Sequence, residues 1–283
     1  MTGISHAISR RTFAATSLVA GFTLAAGPLR AGAIITDANG LVAGEVRVPV
    51  SDGVIPGYRA RPETGAHWPV VLVTQEIFGI HEHIKDICRR FAKLGCYAIA
   101  PSLYARYGDP GKYTDLHQLV ADIVSKVPDA EVMSDLDAAV KFAGTEGADT
   151  ARLSIIGFCW GGRIVWLYAA HNPGLKAAAA FYGALRAPSP RNPLRPLYPL
   201  DLASKVDAPV IAFYGGKDDG IPVGDAEAMR AALGQAGKHD WHIDVFMDAG
   251  HGFFADYRPS YNEADAKLAW SRTLAWFRQH HAM

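Results

Sequence analysis

Leu153-Ser154-Ile155-Ile156-Gly157-Phe158-Cys159-Trp160-Gly161-Gly162 is the stretch on which the reading of this chain turns. Leu153–Ile156 has the length and apolar content of a strand buried on both faces, and the residues from Gly161 to His171 continue as a helix. The link between them is so short that the chain must reverse sharply, forcing its central residue into strained backbone angles. Glycines at 157 and 161 let the neighbouring backbone pass without a Cβ in the way. Cys159 is then pushed out at the apex with a helix N-terminus behind it, a setting that favours a thiolate. The competing reading is a glycine-rich turn with an incidental cysteine, and partners elsewhere in the chain must separate the two.

Outward from this turn, strand and helix alternate. Short apolar runs at Val70–Thr74, Tyr97–Ala100, Ala177–Tyr182, Val210–Tyr214 and Trp241–Phe246 join Leu153–Ile156 as buried strands. Glu45–Val50 and Pro56–Arg61, separated by Ser51-Asp52-Gly53, read as an antiparallel hairpin and bring the total to eight strands. Helical stretches fall at Glu82–Leu94, Ala130–Ala143, Gly161–His171, Val223–Gly234 and Asn262–His280. In the last of these, Ser260 and Glu263 have capping-box spacing, and Leu268, Trp270, Leu274 and Phe277 supply the apolar face. The pattern predicts one α/β domain over residues 34–283, built on a mostly parallel sheet flanked by helices. Leu103–Lys126 and Ala184–Asp207 are longer than ordinary connections. Pro188, Pro190, Pro193, Pro196 and Pro199 bar a regular helix or central strand from the second, which is either a surface excursion or a rigid wall of a pocket.

A thiol nucleophile needs a base and an orienting acid. Tyr214-Gly215-Gly216-Lys217-Asp218-Asp219-Gly220-Ile221-Pro222 follows a buried strand and offers two carboxylates, and Ala249-Gly250-His251-Gly252-Phe253 follows the last strand. Nucleophile, acid and base thus stand in the order seen in α/β-hydrolases, which makes Cys159, His251 and either Asp218 or Asp219 the candidate catalytic set.

Nearly the whole chain after its first segment resembles the dienelactone hydrolase family. The matching stretches are Gln75-Glu76-Ile77-Phe78-Gly79, Pro101-Ser102-Leu103-Tyr104-Ala105-Arg106, the Gly157–Gly162 turn, the Gly215–Pro222 loop and Gly250-His251-Gly252-Phe253. The resemblance implies an α/β-hydrolase fold of about eight strands, cleavage of a small ester or lactone through an acyl-thioester, and no cofactor or metal. It implies a Cys159–His251–Asp218 triad, with Glu76 assisting formation of the thiolate and the backbone amides of Ile77 and Trp160 forming the oxyanion hole. Two arginines of the family hold a substrate carboxylate. One matches Arg106; the other position is Ala255 here, and Arg258 lies three residues beyond it. Arg106, Arg258 and Tyr182, at the end of its strand, are the candidate substrate contacts. A fold that has kept its shape but lost turnover, acting as a binding protein, and a thiol redox protein are the alternatives; for the second, no CxxC is present.

The chain has 283 residues, 49% of them hydrophobic, and 28 Lys and Arg against 28 Asp and Glu. This is a globular composition with no basic footprint for nucleic acid or an anionic membrane surface. Ser9-Arg10-Arg11-Thr12-Phe13 followed by the mild apolar stretch from Ala14 to Gly27 resembles a twin-arginine (Tat) export signal. Arg30 before Ala31-Gly32-Ala33 places an A-x-A site so that cleavage is expected after Ala33. Residues 1–33 therefore read as a signal peptide handled by the Tat machinery, with a periplasmic or secreted product, no stable membrane anchor and a mature chain carrying three more acids than bases. Cys88, Cys96 and Cys159 cannot all pair within one chain, and Cys88 and Cys96 read as core residues, a bridge between them being the alternative. His81-Glu82-His83 starts a helix rather than forming a metal site, since residues two apart face different ways. Trp160 either lines the pocket or packs beneath the turn.

Overall fold

The computed structural model describes residues 33–283. Apart from Ala33, the leader segment expected from the sequence lies outside the described residues. Eight strands form one sheet in the order β1-β2-β4-β3-β5-β6-β7-β8. Their ranges are β1 Leu41–Val50, β2 Gly53–Pro62, β3 Pro69–Thr74, β4 Tyr97–Pro101, β5 Asp149–Phe158, β6 Ala177–Phe181, β7 Val210–Gly215 and β8 Trp241–Phe246. β1 and β2 form the expected hairpin, pairing from Leu41↔Pro62 to Val50↔Gly53, and β2 runs antiparallel to β4. Every other pairing is parallel.

The helices are α1 Glu82–Lys93, α2 Leu116–Asp122, α3 Asp129–Thr145, α4 Trp160–His171, α5 Pro199–Leu202, α6 Val223–Gln235 and α7 Glu263–Gln279. α1 and α7 share one face of the sheet, where the Phe91 ring lies 4.8 Å from that of Trp270 and 6.0 Å from that of Phe277. α3, α4 and α6 cover the other face. With both faces covered, β3, β4, β6 and β7 are buried along their whole length, which is why they read as unbroken apolar runs. Cys88 and Cys96 are buried, unpaired members of this core.

Three local expectations change. The N-cap of α7 is Asn262, whose side chain accepts from the Asp265 amide at 3.2 Å, in place of the expected Ser260–Glu263 box. Asn262 is the residue adjoining the first helical turn, so its carbonyl oxygen reaches a free amide that Ser260 cannot. The buried face of α7 is Ala266, Ala269, Thr273 and Phe277, while Leu268 is exposed; small side chains let the helix lie close on the sheet. The excursion over Leu103–Lys126 contains α2, capped by Asp115 through the Gln118 amide at 2.9 Å. In the proline-rich segment a single turn of α-helix forms, α5, with Pro199 at its first position, where the missing N–H costs no hydrogen bond, and a 3-10 turn at Ala203–Lys205 follows it.

Candidate active site

The carboxyl ends of β5, β7 and β8 bring Cys159, Asp218 and His251 to one edge of the sheet. Cys159 sits between β5 and α4 with φ 55° and ψ −114°, a backbone conformation that L-residues avoid and that a fixed turn must impose. The turn is held from several sides. The Cys159 amide donates to the Phe181 carbonyl at 3.0 Å. The Thr74 hydroxyl donates to the carbonyls of Ile156 and Gly161, each at 3.1 Å, and so ties β3 to both arms of the turn. A Cβ on Gly157 would come within 1.9 Å of Thr74 Oγ1, and one on Gly161 within 2.5 Å of the Thr74 and Gln75 carbonyl oxygens. The sequence signal at this turn is therefore a packing requirement as much as a conformational one.

His251 Nδ1 lies 2.8 Å from Asp218 Oδ2. The other oxygen of Asp218 accepts from the amides of Gly220 and Ile221 at 2.9 and 3.1 Å, so the carboxylate is fixed in direction. Asp219, the neighbouring acid left open by the loop's residue pattern, is exposed. Burial disfavours charge on His251, yet the fields of Asp218 and Cys159 outweigh it and push its pKa up to about 10. Its Nε2 has no hydrogen-bond partner among the described residues and belongs to the same cavity lining as Cys159.

That cavity has a volume of about 390 Å³, within the range of small-molecule sites. Ile77 and Trp160, the expected oxyanion donors, both line it. The Trp160 amide is the first of α4 and has no intrahelical acceptor, so it is available at the positive end of the helix. The indole serves both roles weighed for it, lining the cavity and packing edge-on against Tyr104 at 5.0 Å. Tyr182 also lines it, its ring 5.1 Å from that of His251. Ala184, Arg195 and Tyr198 come from the proline-rich segment, which is thus a wall of the cavity.

Glu76 is fully buried just behind this lining. Its Oε1 accepts from Arg258 at 2.9 Å, and its Oε2 from Tyr257 at 2.5 Å with His81 Nε2 at 3.2 Å. Burial raises the pKa of Glu76, but the Arg258 charge and the His81 contact hold the carboxyl well below its ordinary value. Both carboxylate oxygens are committed to this cluster rather than to Cys159. Arg258 is accordingly a buried counter-ion, and it does not line the cavity as the expectation of a substrate contact requires.

Arg106 is also elsewhere. Its guanidinium is held by Asp52 at 2.6 and 2.8 Å and by Asp135 at 2.7 and 3.0 Å, away from the lining of the cavity. The two acids that the local sequence offers it, Asp109 and Asp115, cap turns of their own excursion instead. Sequence position alone placed Arg106 at the ligand-binding edge; acids brought in by the β1–β2 turn and α3 claim it.

Other features escaped the sequence reading. Arg163 on α4 makes a paired contact with Asp129 at 2.7 and 2.6 Å and donates to the Leu197 carbonyl at 2.7 Å. His81 and His83, read only as helix starters, hydrogen-bond to Glu76 and Asp256 respectively. No residue spacing announces either set, because each joins distant segments. Among the described residues no group of His, Cys, Asp and Glu could hold a metal ion, and no helix is long and apolar enough to cross a membrane.

Residues 55–281 match the model of the dienelactone hydrolase family. The chain is 58% identical to a Methylorubrum extorquens protein named "Putative carboxymethylenebutenolidase" over 96% of this chain and 94% of the relative. It is 49% identical to an Escherichia coli K12 protein of the same name over 94% and 97% of the two chains. A crystal structure titled "Putative Dienelactone Hydrolase" from Klebsiella pneumoniae is 51% identical, covers 84% of this chain and 99% of its own, and superposes with a TM-score of 0.81. The chain belongs to the dienelactone hydrolase family and is an ester or lactone hydrolase.

Proposed function

We propose that this hydrolase works by acyl transfer to Cys159, with His251 as acid and base and Asp218 as the group that orients and charges the imidazole. The observation that carries the reading is the 2.8 Å contact between Asp218 and His251, which leaves Nε2 unpartnered in a cavity whose lining includes Cys159. In the first half-reaction His251 Nε2 holds the proton given up by the Cys159 thiol, and Sγ bonds to the ester or lactone carbonyl carbon. The oxygen of the tetrahedral intermediate takes the negative charge, and the amides of Ile77 and Trp160, two residues of the same lining, donate to it. Collapse breaks the carbon–oxygen bond to the alcohol, which leaves with the proton from His251. In the second half, His251 takes a proton from water, hydroxide adds to the thioester, and Sγ departs as the free acid forms, leaving that proton on His251 as in the resting pair. Every proton passes through one imidazole, and the scheme uses no cofactor.

A binding protein without turnover is less consistent with a half-buried, charge-paired histidine that shares a cavity with a cysteine in a strained turn. A dithiol redox role lacks a resolving cysteine, since Cys88 and Cys96 are both fully buried. Incubation with an activated ester followed by intact-mass measurement should show one acyl group per chain on the wild type and none on Cys159→Ala. Turnover by Cys159→Ala at the wild-type rate would overturn the nucleophile.

We further propose that the protein is exported through the twin-arginine route and acts in the periplasm or outside the cell, on the strength of Arg10-Arg11 and the apolar stretch after them. Replacing both arginines by lysine should leave active enzyme in the cytoplasm. Normal export of that variant would refute the route.

A further inference from the structure

Besides His251, three cations line the cavity that holds Cys159: Arg163, Arg195 and Lys217. Two have acids of their own, Arg163 with Asp129 at 2.6 Å and Lys217 with Asp248 at 2.8 Å. Arg195 differs from both in forming no ion pair among the described residues, and its Nε, like that of Arg163, is shut off from solvent without a hydrogen-bond partner.

The backbone that carries Arg195 is nevertheless fixed on both sides. Before it, the Asn192 side chain donates to the Ser125 carbonyl at 2.7 Å and the Leu194 carbonyl accepts from the Asp129 amide at 3.0 Å. After it, the Leu197 carbonyl accepts from Arg163 at 2.7 Å. Pro193 and Pro196 restrict the backbone further. A pinned segment that holds at the cavity a guanidinium with no ion pair and a buried, unpartnered Nε keeps a donor waiting for an acceptor, and a buried N–H without one is unfavourable. The same lining holds four more buried, unpartnered polar atoms: Trp160 Nε1, Arg163 Nε, the Tyr182 hydroxyl and His251 Nε2. An indole nitrogen can only donate. The missing partner is therefore an acceptor, and a charged one suits the guanidinium best.

We propose that Arg195 is the specificity-determining residue of this hydrolase, reading a carboxylate carried by the ester or lactone substrate. This rests on the reading of Cys159 as the nucleophile. Neither Arg106 nor Arg258 is free for that task, since each is already paired with buried acids of the protein. The proline-rich segment would then supply the selectivity of the site as well as its wall.

The test uses the full chain and two matched pairs of esters. Mono-4-nitrophenyl glutarate against 4-nitrophenyl pentanoate places the carboxylate on the acyl side, and 4-acetoxybenzoate against 4-acetoxybenzamide places it on the leaving group. Wild type should favour the acid in at least one pair. Arg195→Gln should lower kcat/KM for that acid about 10- to 100-fold, mainly through KM, while the neutral member stays within about twofold, and Arg195→Lys should fall between. The neutral member shows that the variant is folded and competent. Equal losses for acid and neutral esters, a preserved acid preference in Arg195→Gln, or no acid preference in the wild type for either pair would each overturn the assignment. Cys159→Ala, assayed alongside on the neutral esters, separates this outcome from failure of the nucleophile itself.

Discussion

Replacing Arg258 by methionine tests whether the buried cluster around Glu76 is held by charge compensation. In the native protein the Glu76 side chain is 0% exposed and that of Arg258 is 2% exposed, with 2.9 Å between them. Removing the cation leaves a carboxylate in the interior with only Tyr257 and His81 as partners. Breaking a buried pair from one side costs about 3–5 kcal/mol, because the remaining charge has lost both water and its counter-ion. For a chain of this size each kcal/mol corresponds to about 2–4 °C, so the melting temperature at pH 7 should fall by about 6–20 °C. The dependence on pH has a definite sign. The pKa of Glu76 is held below its ordinary value, so its pairing contributes stability above about pH 4.5 that is lost as the pH falls. In Arg258→Met burial acts unopposed by that cation and raises the Glu76 pKa, so acidification stabilises the variant relative to the wild type and the gap between them narrows. Thermal melts at pH 7 and pH 5 measure both quantities, and Glu76→Gln combined with Arg258→Met should recover part of the loss. A penalty below about 1 kcal/mol at pH 7, or a gap that widens on acidification, would refute the reasoning.

Three other outcomes follow from the geometry. Gly161→Ala should abolish activity and sharply lower the yield of folded protein, because its Cβ would meet two backbone oxygens at 2.5 Å; soluble, active enzyme would show that the turn can shift. Asp218→Asn should cut kcat/KM much more than Asp219→Asn. It should also move the alkaline limb of the pH profile down from about 10, since Asp218 is a main source of the raised His251 pKa; the reverse ranking would place the acid at Asp219. The same pairing contributes stability that is complete below the ordinary histidine pKa and fades as the pH rises through about 10. Arg106→Ala should destabilise the protein while lowering kcat/KM for acidic and neutral esters alike, because it would leave Asp135, whose side chain is 1% exposed, without its partner; a loss confined to acidic esters would place Arg106 in substrate recognition.

What could be read along the chain was whatever depends on near neighbours. Gly157 and Gly161 bracket Cys159 because a turn this tight leaves no room for a Cβ, and that constraint is written within six residues. Apolar runs marked the strands because a sheet covered on both faces excludes polar side chains, and the loops bearing Asp218 and His251 were legible because each directly follows such a run. The capping of α7 was missed by two positions, since several polar residues near its start could each serve and only the path of the chain chooses Asn262.

The arginines show where local reading stops. Arg106, Arg163, Arg195 and Arg258 are chemically identical, and position in the chain pointed to the first and last as substrate contacts. Folding brings Asp52 and Asp135 to Arg106, Asp129 to Arg163 and Glu76 to Arg258 from 29 to 182 residues away and, among the described residues, brings none into an ion pair with Arg195. A guanidinium pairs with whatever carboxylate packing places within reach, and that reach is a few ångströms in space with no counterpart along the sequence. The sequence by itself thus determined the sheet, the strained turn and the order in which Cys159, Asp218 and His251 follow their strands, whereas only the tertiary structure decided which arginines are spent on pairing with the protein's own acids and which one, among the described residues, is left without a counter-ion.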